Sequence, residues 1–253
     1  MQGAAVVHCT AEAEREQSMP RIPGATSCVV PLAMDLAPFE SMPAPEVAHA
    51  AFPGAHWNGD PVVLFVGRLH PVKGVDLLLK AFKRTLDAGI AANLLIAGSG
   101  DADEERSLNN LARELSLGDR VAFLGHIRSE AKIALYGAAD LFVLPSLHEN
   151  FGFVLPEAMA AGTACCTTPG VAIWKELETC GGALIVDRDP GSIANGLSEL
   201  LADRPRLDAM GASGKAWAFE NLARDRVVAA FEAMYRQAMG ASSGAETPPS
   251  RGA

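Results

Sequence analysis

The chain has 253 residues, of which 49% are hydrophobic, and its formal net charge is −9 at pH 7. This length and composition allow one large domain or two small ones with a substantial core. The negative charge argues against a nucleic-acid-binding protein, which needs a basic stripe on its surface.

The N-terminal sequence MQGAAVVHCT contains no basic region followed by a long apolar stretch, so it does not resemble a secretory signal. No apolar run reaches the ~18 residues of a membrane span. We therefore expect a cytoplasmic location, with peripheral membrane contact only through parts outside this chain.

The ends of the chain differ in character from its middle. Residues 1–36 hold two short strand-like runs, Ala4–Val7 and Cys28–Val30, which are too little for a domain. Residues 37–60 are rich in Pro and Ala and are predicted to be a linker. The tail, residues 240–253, is rich in Ser, Gly and Pro and is predicted to be disordered.

Residues 61–239 alternate between short apolar runs and amphipathic stretches of helix length. The predicted strands are Val62–Val66, Asn93–Ala97, Val121–Leu124, Leu141–Leu144, Thr163–Thr168 and Ala183–Val186. This alternation predicts an α/β fold, a Rossmann-like parallel sheet with helices on both faces. Because ligands bind at the carboxyl ends of strands in such sheets, the loops after the first four strands are the candidate site.

The loop after the first of these strands reads Gly67-Arg68-Leu69-His70-Pro71-Val72-Lys73-Gly74. Gly67 lets the chain turn tightly where the strand ends. Arg68 offers a planar fork of hydrogen-bond donors, and Lys73 a mobile ammonium group at the start of a predicted helix. The pair predicts a clamp for a diphosphate, although a solvated Arg and Lys in an ordinary loop explain this segment equally well.

The loop after the second strand reads Gly98-Ser99-Gly100-Asp101. It lacks the third glycine of the dinucleotide-binding GxGxxG motif, because Asp103 stands at that position. The segment therefore predicts a tight turn between strand and helix that borders a bound base.

The segment after the fourth strand runs from Ser146 to Glu157 and reads SLHENFGFVLPE. A helix is predicted from about Pro156, since proline is favoured at the first helical position. Glu149 then lies in the loop, and Glu157 lies in the first helical turn, where many Glu residues only stabilise the helix. Gly152 allows the backbone to approach a ligand, and two carboxylates could accept hydroxyl groups from a sugar and a ribose.

Several other enzyme classes are excluded by missing motifs. His126 and His148 have no metal-spaced partner, and the five cysteines show no zinc-like CxxC spacing, so no metal site is expected. The sequence also contains neither the GxSxG elbow of α/β-hydrolases nor the GxxxxGK[ST] loop of P-loop ATPases.

Together, GRLHPVKG, LLIAGSGD, VAFLGHI and SLHENFGFVLPEAMAAG resemble, in order and spacing, the C-terminal domain of retaining GT-B glycosyltransferases of group 1, glycosyltransferase family 4. The resemblance covers roughly residues 61–239. It implies one half of a GT-B fold that binds a nucleotide-diphosphate sugar, such as a UDP-, GDP- or ADP-sugar, and transfers the hexose to an acceptor.

The resemblance also implies a role for each matching residue. Glu149, the candidate catalytic residue, matches the acid that contacts the donor sugar, and Glu157 matches the acid that binds the ribose. Arg68 and Lys73 match the cations that bind the diphosphate next to Gly67. The remaining donor-binding residues form the backbone loop and the wall of the base pocket; they are Phe151, Gly152, Phe153, Val154 and Ile127. No metal or other cofactor is implied, because these cations take the role of the metal.

The sequence departs from the family pattern in two ways. The segments Thr163–Cys166 and Pro169–Glu176 are bulkier than the family's usual loop, so sugar specificity cannot be transferred. Residues 1–36 resemble only a remnant of the N-terminal acceptor-binding domain, which in the family often supplies a histidine near the sugar. The last predicted helix, 224–239, would then have apolar residues, among them Val228, Phe231, Met234 and Tyr235, that lack part of their cover.

Three functions remain open at this stage. The first is a retaining glycosyltransferase. The second is a donor-binding module without activity of its own, which needs a separate acceptor-binding domain or subunit. The third is an epimerase or phosphorylase of the same architecture, although the sequence shows no identifiable pyridoxal-binding lysine.

Overall fold

The structure of the chain is a computed structural model that describes residues 4–243. Of the predicted disordered tail, residues 240–243 belong to the last helix, and residues 244–253 lie outside the described residues.

Within residues 4–243 the chain forms eight β-strands and eleven α-helices. The strands are β1 (Val7–Cys9), β2 (Ser27–Val29), β3 (Val62–Val66), β4 (Asn93–Ala97), β5 (Val121–Gly125), β6 (Leu141–Leu144), β7 (Ala164–Thr167) and β8 (Ala183–Ile185). The helices are α1 (Glu12–Ser18), α2 (Ala37–Glu40), α3 (Pro45–Ala51), α4 (Val75–Asp87), α5 (Ala102–Glu114), α6 (Ser129–Ala138), α7 (Val154–Ala161), α8 (Trp174–Thr179), α9 (Pro190–Leu201), α10 (Arg204–Asn221) and α11 (Arg224–Ser243).

The main sheet has six strands in the order β5-β4-β3-β6-β7-β8, and every neighbouring pair is parallel. Counted from β3, this is the doubly wound order 3-2-1-4-5-6, in which the direction of winding reverses between β3 and β6. The predicted Rossmann-like parallel sheet with helices on both faces is confirmed. Loops that leave β3 and β6 on either side of this switch point form a natural crevice.

The central strands form because they are continuous apolar runs that are covered on both faces. Every residue of β3, β4 and β6 is buried, as expected for strands of a parallel sheet. Helix α4 buries the stripe Val75, Leu78, Leu79 and Phe82, and its chain turns away at Gly89, whose φ is 86°. The predicted strands and the amphipathic helices between them therefore lie where the hydrophobic pattern placed them.

The N-terminal residues form a small unit with the last helix. Strands β1 and β2 pair in parallel, and Val30 packs with Val227 and Met234 of α11. On the same helix Val228 is 47% exposed and Tyr235 is 60% exposed. Helix α11 is thus covered on one side by the N-terminal strands and open on another.

The segment predicted as a linker, residues 37–60, contains the two short helices α2 and α3. Its residues Phe39, Ala48 and Ala55 are buried in the core of the main domain. Pro and Ala in this segment therefore belong to packed helices as well as to turns. Among residues 4–243, no helix is long and apolar enough to cross a membrane.

Candidate functional site

The loops after β3 and β6 are joined at the switch point of the sheet. The backbone N–H of Leu147 donates to the carbonyl oxygen of Val72 at 2.8 Å. Arg188 donates from Nε to the carbonyl oxygen of Pro145 at 3.0 Å and from Nη2 to that of Pro71 at 3.3 Å. One guanidinium group therefore holds both loops, and it fixes the crevice between them.

The loop after β4 comes into backbone contact with the loop after β3. The N–H of Leu69 donates to the carbonyl oxygen of Ser99 at 2.9 Å. Gly98 has a φ of 142°, and a Cβ atom added there would lie 1.8 Å from the carbonyl oxygen of Gly67. Asp101 caps α5 by accepting from the N–H groups of Asp103 and Glu104. The predicted tight turn between strand and helix is confirmed, and only glycine fits its first position.

A cleft of 630 Å³ opens at this edge of the sheet. Four of the predicted donor-binding residues line it, namely Gly67, Arg68, Ile127 and Val154. The other lining residues are Val66, Leu69, His70, Ala97, Gly98, Ser99, Gly100, Asp101, His126 and Lys132. The volume is in the range of small-molecule sites. Within the described part of the chain Arg68 is exposed and has no ion-pair partner, so its guanidinium group is free to meet an anion.

The predicted phosphate cation Lys73 and the predicted sugar acid Glu149 contact each other. The ammonium group of Lys73 forms an ion pair with Oε1 of Glu149, which also accepts from the hydroxyl of Ser146 at 3.2 Å. The side chains of Lys73 and Glu149 are 19% and 16% exposed. The backbone of Glu149 is fixed on the other side, because its N–H donates to the carbonyl oxygen of Gly170 at 2.9 Å. Neither side chain lines the cleft.

The Phe-Gly-Phe turn leads directly into α7. Phe151 is buried at 3% exposure, whereas Phe153 is 42% exposed and its ring lies 5.0 Å from that of Phe151. Gly152 has a φ of 72°, in the left-handed region that favours glycine. An added Cβ atom on Gly152 would lie 3.2 Å from Val171, so the turn is closely packed.

The predicted start of this helix near Pro156 was wrong by two residues. Helix α7 begins at Val154, because Phe153 already has helical angles and accepts from the N–H of Glu157 at 2.9 Å. Proline is tolerated at the third helical position because an N–H there has no partner within the helix. The N–H groups of Phe153 and Val154 have no protein acceptor among the described residues and are available to an anion.

Glu157 lies in the first turn of α7, as predicted, and two residues of α6 hold its carboxylate. The ammonium nitrogen of Lys132 lies 2.7 Å from Oε1 and 2.6 Å from Oε2, and the hydroxyl of Tyr136 donates to Oε2 at 2.8 Å. Burial raises the pKa of Tyr136 well above its usual value, and the negative charge of Glu157 adds to this effect. Tyr136 therefore stays protonated and acts as a donor.

Three residues that hold this site are not indicated by any motif in the sequence, namely Lys132, Tyr136 and Arg188. Tyr136 follows the apolar residues Ile133, Ala134 and Leu135, and nothing in this local pattern indicates that its hydroxyl reaches Glu157. Lys132 is one polar residue among several on α6. Arg188 follows β8, whereas the candidate loops were those after the first four predicted strands. Among the described residues, no group of three or more His, Cys, Asp and Glu side chains is arranged to hold a metal ion.

The family model "Glycosyl transferases group 1" matches residues 50–217 of the chain. The chain belongs to this family. The matched range includes every residue that was predicted to bind the donor.

Curated relatives agree with this assignment. A D-inositol 3-phosphate glycosyltransferase of Nocardia farcinica is 37% identical over 63% of this chain and 38% of its own length. The protein with the same name from Mycolicibacterium vanbaalenii is 34% identical over 79% of this chain and 46% of its own length. The chain thus spans less than half the length of these relatives.

Solved structures share the fold. Sucrose-phosphate synthase from Thermosynechococcus elongatus superposes with a TM-score of 0.78 and 28% identity, covering 93% of this chain and 59% of the other. HepE from Anabaena, in complex with UDP and glucose, has a TM-score of 0.75 at 20% identity and covers 92% of this chain and 62% of its own. Group 1 glycosyltransferases of this type have the GT-B architecture, and the chain has the fold of one of its halves.

Proposed function

We propose that the chain binds a nucleotide-diphosphate sugar in the cleft and forms the donor-binding half of a retaining hexosyltransferase of glycosyltransferase family 4. The observation that carries this proposal is the position of the cleft at the switch point of a doubly wound sheet, with the unpaired Arg68 on its wall. Supporting it, HepE from Anabaena has this fold and has been crystallised with UDP and with UDP-glucose.

The diphosphate is assigned to the region between Arg68 and the start of α7. Arg68 offers paired donors that match phosphate oxygens, and the free N–H groups of Phe153 and Val154 lie at the positive end of a helix. Gly67 and Gly152 keep the backbone accessible at these two turns. Lys73 supplies a second cation and is held near the crevice by Glu149.

The remaining donor groups are assigned to the two carboxylates and the loop after β5. Glu149 accepts hydroxyl groups of the hexose, and Glu157 accepts those of the ribose. Ile127 forms part of the wall against which the base packs. UDP-, GDP- and ADP-sugars all have these features. No metal or organic cofactor is part of the proposal, because Arg68 and Lys73 supply the positive charge.

Transfer breaks the bond between the anomeric carbon and the diphosphate oxygen, so negative charge develops on the leaving diphosphate. Arg68 and Lys73 stabilise that charge, and the carboxylate of Glu149 orients the sugar. The new bond forms to the hydroxyl oxygen of an acceptor on the face of the sugar from which the diphosphate leaves, so the configuration is retained. The acceptor proton passes to the leaving diphosphate. Most of the rate enhancement then comes from positioning and electrostatic stabilisation by these side chains.

Calorimetry with UDP, GDP and ADP on the 253-residue chain tests donor binding. We expect one nucleotide to bind, and we expect Arg68→Ala to lower its affinity at least about tenfold, because a charge-assisted pair is lost. Arg236→Ala on α11, where the arginine is exposed and pairs with Glu232, is the matched control and should bind as the wild type does. Equal affinities for wild type and Arg68→Ala would refute the assignment.

A second candidate function is a donor-binding module that has no turnover of its own and acts with a separate acceptor-binding domain or subunit. It is favoured by the placement of all the proposed donor contacts within residues 67–157 of one domain. Incubation of the chain with a labelled nucleotide sugar separates the candidates. Sugar transfer by the chain alone supports the first, binding without turnover supports the second, and a change of sugar configuration without an acceptor would indicate an epimerase.

A further inference from the structure

The carboxylate of Glu157 is already bound on two sides before any ligand arrives. Lys132 contacts both of its oxygens, and Tyr136 donates to Oε2. The side chains of Lys132 and Glu157 are 27% and 21% exposed, so the pair is partly shielded from water. Lys132 also lines the 630 Å³ cleft, which makes it a second cation on that wall besides Arg68. The ion pair therefore lies at the boundary between the helix packing and the ligand cleft.

The two partners of Glu157 differ in mobility. Tyr136 is fully buried, and its ring packs edge to face on Phe142 with a centroid distance of 5.6 Å. Its carbonyl oxygen accepts from the hydroxyl of Thr163 at 2.6 Å, so the residue is held at both ends. Lys132 is partly exposed, and its ammonium group is at the end of a flexible stem. Tyr136 is thus a fixed donor, and Lys132 is a partner that can shift between the two oxygens.

The number of acceptor positions on Glu157 sets what the carboxylate can bind. A carboxylate has about four lone-pair positions, and the three contacts described here use most of them. If Lys132, which lines the cleft, keeps only one oxygen, two acceptor positions on Glu157 become free. Two adjacent acceptors match the two O–H donors of a vicinal diol, such as the 2′ and 3′ hydroxyls of a ribose.

We propose that Lys132 is a positioning residue for Glu157, and that the Lys132–Glu157–Tyr136 cluster makes the cleft select ribonucleotide over 2′-deoxyribonucleotide donors. This inference rests on the proposed function, in which Glu157 meets the ribose. Lys132 keeps the carboxylate turned toward the cleft and balances its charge next to the diphosphate. The hydroxyl of Tyr136 holds Oε2 of Glu157 in place by a hydrogen bond and occupies an acceptor position that the diol does not use.

The charge balance is a necessary part of this arrangement. Glu157 lies behind Lys132, which lines the cleft, and an unpaired carboxylate next to a cleft that binds a diphosphate would repel the ligand. With Lys132 in place, the carboxylate can accept hydrogen bonds from the ribose hydroxyls without adding net negative charge to the site. Removal of Lys132 should therefore weaken the contact with the diol and also loosen the orientation of Glu157.

The test compares two ligands by calorimetry on the wild type and on variants of the cluster. The ligands are whichever of UDP, GDP and ADP binds the wild-type chain, and the 2′-deoxy form of the same diphosphate. The proteins are the wild type, Lys132→Met, Lys132→Arg and Glu157→Gln, each first checked for a native circular dichroism spectrum. We expect the wild type to prefer the ribonucleotide about tenfold or more, the range for a hydrogen bond to a charged group.

In Lys132→Met, as in Glu157→Gln, the affinities for the ribonucleotide and the 2′-deoxyribonucleotide should differ by no more than about twofold. Most of the change should be a loss of affinity for the ribonucleotide. Lys132→Arg should restore part of the preference, because it keeps the positive charge next to Glu157. Tyr136→Phe, which removes only the buried hydroxyl, should also reduce the preference and covers the case in which Lys132→Met does not fold.

Two results would overturn the inference. Equal losses of affinity for both nucleotides in Lys132→Met would mean that Lys132 acts only on the diphosphate. An unchanged preference in Lys132→Met would mean that Glu157 is oriented without it. If no diphosphate binds the wild-type chain, the proposed function itself fails, and the inference fails with it.

Discussion

The ammonium group of Lys73 and the carboxylate of Glu149 form an ion pair across the switch point of the sheet. Lys73 follows β3 and Glu149 follows β6, so the pair joins the two loops on either side of the crevice. The residues proposed to hold the diphosphate and the hexose are therefore bound to each other before the donor arrives. The pair keeps both side chains ordered and lowers the cost of arranging them when the ligand binds.

Replacement of Lys73 by Met should destabilise the chain by about 1–3 kcal/mol, because the Glu149 carboxylate, 16% exposed, loses its counter-ion. The double variant Lys73→Met with Glu149→Gln should recover much of this loss, since no unpaired charge remains. Urea unfolding of the two single variants and the double variant measures the coupling. Lys83→Met, which breaks an exposed pair with Asp87 on α4, is the control and should cost less than about 1 kcal/mol. Simple additivity of the two single changes would show that the residues do not interact.

Gly98 should tolerate no side chain. A Cβ atom at this position would lie 1.8 Å from the carbonyl oxygen of Gly67, and its φ of 142° disfavours other residues. We expect Gly98→Ala to lower the free energy of unfolding by about 2–5 kcal/mol, because backbone must move against backbone. The same shift would move Arg68, so nucleotide affinity should fall as well.

Gly54→Ala is the matched control for this change, because no atom lies within 4 Å of a Cβ added at Gly54. Its effect on stability should stay within about 1 kcal/mol and should leave nucleotide affinity unchanged. Thermal unfolding and calorimetry of both variants provide the comparison. A Gly98→Ala chain as stable as the control would show that the loops after β3 and β4 are not in the contact described.

The fold could be predicted from the sequence because its strands are short, continuous and apolar. Strands β3, β4 and β6 have the predicted bounds, and β7 and β8 are each one or two residues shorter than predicted. Helix α8 and the N-terminal helix α1 were not predicted, since each has fewer than eight residues and no clear amphipathic stripe. Short helices are stabilised by tertiary packing, which local periodicity does not report.

The residue types of the candidate site could be predicted from the sequence, but which side chains contact each other could not. Lys73 and Glu149 are 76 residues apart, and their contact depends on β3 and β6 being neighbours in the sheet. Strand order is a property of the whole chain and leaves no local pattern. The contact of Lys132 with Glu157 likewise leaves no local pattern, because it follows from the packing of α6 against α7.

Arg188 should determine how firmly the two loops of the crevice are held together. Its guanidinium group donates to the carbonyl oxygens of Pro145 and Pro71, and a lysine cannot reach both with a planar fork. Arg188→Lys should therefore weaken the neighbouring bond from Leu147 to Val72 and speed amide exchange in the peptide containing Leu147 by about fivefold. Hydrogen-exchange mass spectrometry measures this. Arg206→Lys at the start of α10 is the control, and a matching increase in that variant would show a global effect.

The stability of the chain should fall as the pH rises above 9, because two thiols of β7 are buried. Burial raises the pKa of Cys166 to about 12 from 9.0 and raises that of Cys165 in the same direction. A group whose pKa is higher in the folded state contributes stability that is fully present below its pKa in the unfolded state. That stability is lost as the pH rises toward the pKa of the group in the folded state. For Cys166 this window runs from about pH 9 to about 12.

Between pH 8 and pH 10 the thiol of Cys166 should reduce the free energy of unfolding by about 1.4 kcal/mol, because it ionises in the unfolded chain but not in the folded one. Cys166→Ala should reduce the loss of unfolding free energy between pH 8 and pH 10 by about this amount. This holds however much the substitution destabilises the chain at pH 8. Ala164→Gly in the same strand is the control, because it weakens the core without removing a thiol and should lower stability equally at both pH values. Urea unfolding under reducing conditions provides the slopes. If Cys166→Ala and the wild type decline in parallel, the thiol of Cys166 is not protected from ionisation by the fold.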